Sequence, residues 1–197
     1  LGAKFHAFVA PAFTYMLDQF AYHGINVRQA AWHLVEEARK AGGAPDVTRA
    51  VDLGTGTGFT ARALLDFFGR AKIVGLDTSE DMLKVARHLN QIYQTGIDYK
   101  LANAEDTGLP SKKFDVAVAS FVFHECPREA RLKILDEGLR LLRPGATRAV
   151  LDIHTDYEPS QFMLPGEPYI RGYLDNFEDD ARVFVARNSH RFAAAHR

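Results

Sequence analysis

Two acid and histidine pairs in the second half of the sequence have the residue types that proton transfer needs. His124 and Glu125 are adjacent, and Asp152 and His154 are two residues apart. A histidine has an ordinary pKa of about 6.5, so His124 or His154 can take a proton from an oxygen or nitrogen nucleophile near neutral pH. Alternate residues of a strand lie on one face, which places Asp152 beside His154. The candidate catalytic residues are therefore His124, Glu125 and His154.

Each pair also has a purely structural interpretation. His124 and Glu125 can cap a helix that is predicted to begin near Pro127, or they can serve packing. Asp152 and His154 can be solvated residues at the end of a strand. Tyr157, which follows them, is a weaker catalytic candidate. The sequence leaves both interpretations open.

A glycine-rich segment, AVDLGTGTGFTARAL at residues 50–64, indicates a backbone that passes close to a ligand. When the segment is read from Gly56, the letters GTGFTA satisfy the dinucleotide pattern GxGxxG/A, and Asp77 lies where a ribose-binding acid is expected. When it is read from Asp52, an acid precedes three alternating glycines, and such a carboxylate repels phosphate but attracts an ammonium group. An ordinary strand-to-helix turn is a third interpretation.

The composition of the chain limits its domain number, its partners and its cellular compartment. The chain has 197 residues, 47% hydrophobic and 25% charged, which predicts one soluble globular domain. A net charge of -1 without a basic block disfavours a nucleic-acid partner. The single Cys126 and the absence of zinc-type spacing predict a reducing compartment, the cytoplasm, and no metal. No apolar run is long enough to span a membrane, so no membrane association is predicted.

Short apolar runs alternate with amphipathic helical patterns from Arg49 to His154, which is typical of a mostly parallel sheet with helices on both faces. The predicted fold class is α/β, a Rossmann-like doubly wound sheet with an N-terminal helical extension. We expect an N-terminal helical cap at 1–44 and a cofactor-binding domain at 45–197. The aromatic-rich cap either forms a lid over the ligand pocket or packs on the sheet.

Five segments follow one another along residues 48–154: VDLGTGTG, VGLDTSEDML, LANAEDTGLP, FDVAVASFVFHE and GLRLLRPGATRAVLDIH. In order and in spacing, they resemble the class I S-adenosylmethionine-dependent methyltransferases. The resemblance implies that S-adenosyl-L-methionine is the cofactor. It also implies methyl transfer to an oxygen, nitrogen or carbon nucleophile by in-line displacement, for which positioning matters more than a strong base.

The resemblance also implies roles for individual positions. Asp77 would bind both ribose hydroxyls; the alternative is that Asp77 caps the helix that follows it. Asn103 or Glu105 would accept a hydrogen bond from the exocyclic amine of adenine. Phe121 would line the methionine side, whereas Phe123 is expected in the core. The complete set of implied cofactor-binding residues is Asp52, Gly54, Gly56, Gly58, Asp77, Thr78, Met82, Asn103, Ala104, Glu105, Ser120 and Phe121.

The fourth segment, FDVAVASFVFHE, lacks a motif that narrows the class of methyl acceptor. Family members that act on exocyclic amines of nucleic-acid bases or glutamine carry [DN]PPY where this chain has SFVFHE, which favours a small-molecule substrate. Two rival functions stay open: a non-catalytic or truncated cofactor-fold binding module, and an NAD-dependent oxidoreductase. The beginning at Leu1 and the short tail suggest a fragment, and an organellar form without its transit peptide is an alternative to the cytoplasm. The sequence predicts no oligomeric state.

Overall fold

The computed structural model describes residues 26–152, together with residues 8, 9, 11 and 12. Predictions for the other residues, including His154 and Tyr157, lie outside the described part of the chain. Within 26–152 the elements are α1 Val27–Ala41, β1 Arg49–Leu53, α2 Phe59–Phe68, β2 Lys72–Asp77, α3 Glu80–Tyr93, β3 Asp98–Leu101, β4 Phe114–Ser120, a 3₁₀ helix Phe123–Glu125, α4 Arg128–Leu141 and β5 Leu142–Leu151.

The strands form a parallel sheet in the order β3-β2-β1-β4-β5. Every residue of β4 is buried, because β4 has a strand on each side and helices over both faces. The chain proceeds outwards from β1 to β3 and then returns to place β4 beside β1. The carboxyl ends of β1 and β4 therefore flank the point where strand order reverses, which is where open sheets bind ligands. The predicted α/β fold class is confirmed.

Successive side chains of a strand point to opposite faces of the sheet and pack in two separate hydrophobic cores. Val116 and Val118 belong to the first core, and Ala117 and Ala119 belong to the second. Helices α1, α2 and α3 cover the first core, and α4 covers the second. Trp32 of α1 is completely buried in the first core, so α1 packs on the sheet. The domain boundary at residue 44 stays a prediction.

A buried arginine fixes one end of α1 to the amino edge of the sheet. The guanidinium of Arg39 donates to the carbonyl oxygen of Asp115 at 3.1 Å, pairs with Glu36 at 3.2 Å and donates to the carbonyl of Pro45. These partners offset the desolvation of a charge that is only 3% exposed.

Two strand boundaries differ from the predicted ones. The sequence pattern extends β4 to Phe123, but β4 ends at Ser120 because Phe121 has a φ of +55°, outside the extended region. The letters LRPGA predict a turn, with a positive φ at Gly145, before a strand TRAVLDIH. Strand β5 begins earlier, at Leu142, and its pairing with β4 shifts register there, whereas the φ of Gly145 is positive as predicted, +77°. None of the described helices is both long and apolar enough to cross a membrane.

Candidate functional site

The predicted site residues that the structure describes all follow the carboxyl ends of adjacent strands. Residues 52–58 lie at the end of β1 and in the loop that follows it, 77–82 at the end of β2, 103–105 after β3, and 120–125 at the end of β4. Parallel strands present their carboxyl ends at one edge, so these four segments share that edge.

The glycine loop after β1 needs its glycines for two different reasons. Gly54, Gly56 and Gly58 all have positive φ, between +53° and +87°. A Cβ on Gly54 would lie 2.4 Å from the side chain of Val122, so this glycine allows close packing. A Cβ on Gly56 would meet no atom of the described residues within 4 Å, so this glycine is favoured by its positive φ and not by close packing.

Asp52 is a buried carboxylate with an unsatisfied oxygen. Its side chain is fully buried, Oδ2 accepts from the hydroxyl of Thr55 at 2.6 Å, and Oδ1 has no partner among the described residues. Burial raises the pKa of Asp52 to about 7, against the opposing effects of the Thr55 hydrogen bond and the charge of Arg28. A buried, unpaired oxygen with a shifted pKa is typical of a ligand-binding position.

Replacing Asp52 by asparagine is expected to stabilise the ligand-free chain most at high pH. Because the folded-state pKa lies above the ordinary 3.8, the stability that the neutral carboxyl contributes is lost as pH rises towards about 7. Denaturant unfolding should show that the advantage of the variant is about 2 kcal/mol larger at about pH 8 than at about pH 5. An advantage of equal size at both pH values would show that Asp52 does not titrate in this range.

Asp77 connects two of the site loops. Its Oδ2 accepts from the backbone N–H of Gly56 and its Oδ1 from that of Ser79, each at 2.8 Å. Ser79 is the N-cap of α3 and accepts from the N–H of Met82, so the cap role considered for Asp77 belongs to Ser79. A carboxylate oxygen has two acceptor positions, so Asp77 can also receive two hydroxyl groups. Thr78 is exposed and Met82 half-buried beside it.

The loop after β3 is held by polar contacts of its own. Asn103 Oδ1 accepts from the N–H of Glu105 at 2.9 Å, and Ala104 between them is buried. Glu105 pairs with Lys133 of α4 at 3.1 Å, and the hydrogen bond from Lys133 lowers the pKa of Glu105. The carboxylate of Glu105 is therefore anchored to α4, unlike a freely solvated loop acid.

An acid of α4, Glu137, holds the far part of the same loop. Glu137 Oε1 accepts from the N–H and the hydroxyl of Thr107 at 2.9 and 2.5 Å. Arg140 donates to Glu137 Oε2 at 2.6 Å and to the carbonyl of Leu109 at 2.8 Å. Burial alone would raise the pKa of Glu137, but the hydrogen bonds from Arg140 and Thr107 outweigh it and lower the pKa to about 2.

Replacing Glu137 by glutamine is expected to lower the free energy of unfolding by about 2 kcal/mol near neutral pH, because Arg140 and Thr107 lose a charged acceptor. The lowered pKa stabilises the fold above the ordinary value of 4.5, and this contribution is lost as pH falls towards about 2. Unfolding at about pH 6 and about pH 3 checks both the size and the pH trend. Glu129→Gln, at an exposed position of α4, is the matched control, and equal stabilities of the two variants would contradict the prediction.

The end of β4 carries a strained residue beside an unsatisfied one. Ser120 is buried and its hydroxyl has no hydrogen-bond partner among the described residues. Phe121, in the left-handed conformation, donates its N–H to the carbonyl of Leu151 at 2.7 Å. The guanidinium carbon of Arg28 lies 5.2 Å from the centroid of the Phe121 ring. Such strained positions concentrate at functional sites.

The two catalytic candidates within the described residues differ in their contacts. His124 is buried, and its Nδ1 lies 2.6 Å from Asp152 Oδ1. Asp152 Oδ2 also accepts from the N–H groups of Val122 and Phe123, at 3.1 and 2.8 Å. Glu125 is exposed, and its carboxylate lies 3.6 Å from His124 Nε2. The N-cap of α4 is Pro127, and no side-chain hydrogen bond caps this helix among the residues that the structure describes, which does not favour the capping interpretation of this pair.

The structure also describes the surroundings of Phe123 and Cys126, on either side of this pair. Phe123 is in the core, as expected. Cys126 is half-buried, and burial raises the pKa of its thiol to about 11, which keeps the sulfur neutral. Among the described residues, no cluster of three or more His, Cys, Asp or Glu side chains is suitable for a metal.

Sequence reasoning did not identify Arg28 as a site residue, and it paired Asp152 with His154. Arg28 belongs to the first turn of α1, and the pairing of Asp152 with His124 spans 28 residues. Arg28 lies outside the five segments that resemble the family, and His124 and Asp152 lie in two different segments, so no local signal in the sequence could have revealed these contacts.

Comparison with known proteins gives one family. The family model described as "Methyltransferase domain" matches residues 50–145. A reducing polyketide synthase, grgA, of Penicillium sp. is 29% identical over 174 residues, which cover 83% of this chain and 7% of that protein. The 2-phytyl-1,4-naphtoquinone methyltransferase of Synechococcus elongatus is 31% identical over 157 residues, which cover 77% of this chain and 63% of that protein. The chain thus spans less than two thirds of the length of either relative.

A solved structure agrees with these matches. The crystal structure of a SAM-dependent methyltransferase from Aquifex aeolicus has 25% sequence identity and a TM-score of 0.53, over 74% of this chain and 77% of that one. The matched family model covers β1 to the start of β5 and includes the glycine loop and Asp77. On its fold, its glycine loop and these relatives, the chain belongs to the class I S-adenosylmethionine-dependent methyltransferases.

Proposed function

We propose that this protein transfers a methyl group from S-adenosyl-L-methionine to an oxygen, nitrogen or carbon nucleophile of a small molecule. The observation that carries the proposal is the buried His124–Asp152 pair, 2.6 Å apart, at the same sheet edge as the glycine loop. This arrangement supports a role for His124 as a proton acceptor at the edge where the cofactor would bind.

The described residues fit the cofactor. Asp52 Oδ1 and Ser120 Oγ, on neighbouring strands, are buried and have no hydrogen-bond partner within the described part of the chain, so the site offers polar groups to a ligand with an amino group. Asp77 would bind the ribose hydroxyls, and Asn103, Ala104 and Glu105 would contact the adenine. The residues that would complete the site are Gly54, Gly56, Gly58, Thr78, Met82 and Phe121.

When bound, S-adenosylmethionine supplies a methyl group that its sulfonium already activates. His124 donates its Nδ1–H to Asp152, which leaves Nε2 as the acceptor of a proton from the substrate nucleophile. Asp152 acts through the imidazole as a positioning residue. Glu125, 3.6 Å from Nε2, stabilises the imidazolium that proton transfer creates.

The acceptor class is a small, apolar molecule. The near-neutral net charge and the SFVFHE segment support it, as does the naphtoquinone named for the cyanobacterial relative. A base is of use only where the nucleophile carries a proton, so hydroxyl, amine or carbon acids are favoured over carboxylates.

The single cysteine supports the cytoplasm as the predicted compartment.

The test begins with calorimetric titration of S-adenosylhomocysteine, with NADH as the control ligand. Transfer of label from methyl-tritiated cofactor to a panel of hydroxylated and quinol acceptors follows. Binding of S-adenosylhomocysteine but not NADH, with labelled product, is the expected result. Binding without transfer to any acceptor would favour the binding-module alternative, and binding of NADH alone would favour the oxidoreductase.

A further inference from the structure

The outer surface of α2 carries one basic and one acidic side chain a single turn apart. Arg62 and Asp66 are each two residues from Leu64, which is completely buried in the first core. Residues two apart point to opposite sides of a helix, so Arg62 and Asp66 both lie on the side of α2 that faces away from the sheet. Asp66 is exposed and Arg62 is half-buried, and within the described part of the chain neither takes part in an ion pair.

Two aromatic rings hold the guanidinium of Arg62. Its carbon lies 5.0 Å from the centroid of the Phe59 ring and 4.5 Å from that of Tyr93, at the end of α3. Phe59 precedes Arg62 along α2 and Asp66 follows it, so these contacts compete with an ion pair inside the helix. Stacking uses the planar face of a guanidinium, so the N–H groups of Arg62 can still donate to a carboxylate.

Apolar side chains extend this surface onto α3. Ile92 and Tyr93 are 58% and 59% exposed, although both are large and hydrophobic. Exposed aromatic and aliphatic side chains beside an arginine are typical of a protein–protein interface, where Tyr, Phe and Arg are enriched. We call this surface the α2–α3 patch; it consists of Phe59, Arg62, Asp66, Ile92 and Tyr93.

The charges of the α2–α3 patch are complementary to those of a second copy of the same patch. A two-fold axis places the same surface of two copies against each other. When this axis passes between Arg62 and Asp66, the two α2 helices are antiparallel, and Arg62 of each copy faces Asp66 of the other. A partner with only acidic groups would pair with Arg62 and repel Asp66, whereas a second copy satisfies both charges.

We propose that two copies of this chain form a dimer through the α2–α3 patch, with two reciprocal ion pairs between Arg62 and Asp66. Contacts of Ile92 and Tyr93 bury apolar surface beside these pairs and keep water from them. The inference goes beyond the proposed function, because no residue of the patch belongs to the candidate site.

The experiment is sedimentation equilibrium of the full chain and its charge variants. The wild-type chain is expected to dimerise. Asp66→Lys is expected to raise the dissociation constant of the dimer by about 10- to 100-fold, because it places a lysine against Arg62 at two symmetric positions. Glu129→Lys is the matched control: it makes the same charge change at an exposed position of α4, which covers the opposite face of the sheet, and should leave the dimer unchanged.

A double charge reversal tests whether Arg62 and Asp66 face each other. Arg62→Glu alone should weaken the dimer as Asp66→Lys does, but the two together exchange the charges and keep the pairing. The double variant should therefore return to within about tenfold of the wild-type dissociation constant. Ile92→Glu, at an exposed position, replaces Arg62→Glu as a dimer-weakening variant if the loss of the stacked arginine changes the fold.

Three results would overturn the inference: a wild-type chain that is monomeric at every concentration, equal dissociation constants for Asp66→Lys and Glu129→Lys, or a folded double variant that dimerises no more tightly than the single variants. A monomeric chain would also show that Arg62 and Asp66 serve another partner or none. None of these results bears on methyl transfer, which is tested separately.

Discussion

Replacing Asp77 by asparagine is expected to weaken the binding of S-adenosylhomocysteine by about 100-fold or more. The carboxylate accepts from the N–H groups of Gly56 and Ser79 with its two oxygens, whereas asparagine has one acceptor oxygen. One backbone N–H then faces an amide N–H, and the charge-assisted bonds to the ribose diol are lost. The variant thus removes ligand contacts and loosens the glycine loop.

Calorimetric titration measures this effect. Asp81→Asn is the control, since Asp81 lies four residues further along and pairs only with Lys84 of the same helix, at 3.3 Å, among the contacts described. Thermal unfolding without ligand separates misfolding from a loss of binding. An Asp77 variant that stays within about tenfold of the wild-type affinity would exclude a bidentate role for this carboxylate.

Replacing His124 by glutamine is expected to lower kcat by about 100- to 1000-fold, with little change in the affinity for S-adenosylhomocysteine. The imidazole is the buried base of the proposed reaction, and glutamine cannot take the proton. Asp152→Asn should cause a comparable loss, because an amide facing Nδ1 favours the tautomer that carries its proton on Nε2. Glutamine keeps much of the polarity and volume of the side chain.

The kcat of both variants is measured as the transfer of tritium-labelled methyl to an acceptor that the panel identifies. Because His124 and Asp152 act as one unit, the double variant should be about as slow as the slower single variant. His88→Gln, at an exposed position of α3, is the control. Multiplicative losses in the double variant, or an unchanged kcat in either single variant, would show that the pair is not the base.

The elements around the glycine loop are those that the sequence predicts best. The sequence patterns RAVDL, KIVGLD and FTARALLDFF predict two strands and a helix, and β1, β2 and α2 have these bounds in the structure. Their signals are local: apolar runs too short for helices, a turn that needs positive φ, and a helical pattern that ends at Gly69. The same local signals place Asp52 and Asp77 at the strand ends.

The end of the candidate site that contains His124 and Asp152 is predicted less well, because tertiary contacts determine it. The apolar letters of β4 continue to Phe123, and only the left-handed Phe121 and the hydrogen bonds from the following N–H groups to Asp152 show where the strand stops. Arg28 reaches Thr60 from 32 residues away. Periodicity cannot reveal contacts over such separations.

Helix α1 joins the two edges of the sheet. Arg39 fixes it at the amino edge and Arg28 reaches the carboxyl edge, 11 residues or about 16 Å away along the helix axis. Because Arg28 contacts Thr60 of α2 and the ring of Phe121, the position of α1 is coupled to two elements at the carboxyl edge of the sheet. Detachment of α1 would remove both contacts, so a ligand that requires this arrangement would bind only while α1 is attached, and by reciprocity it would hold α1 on the sheet.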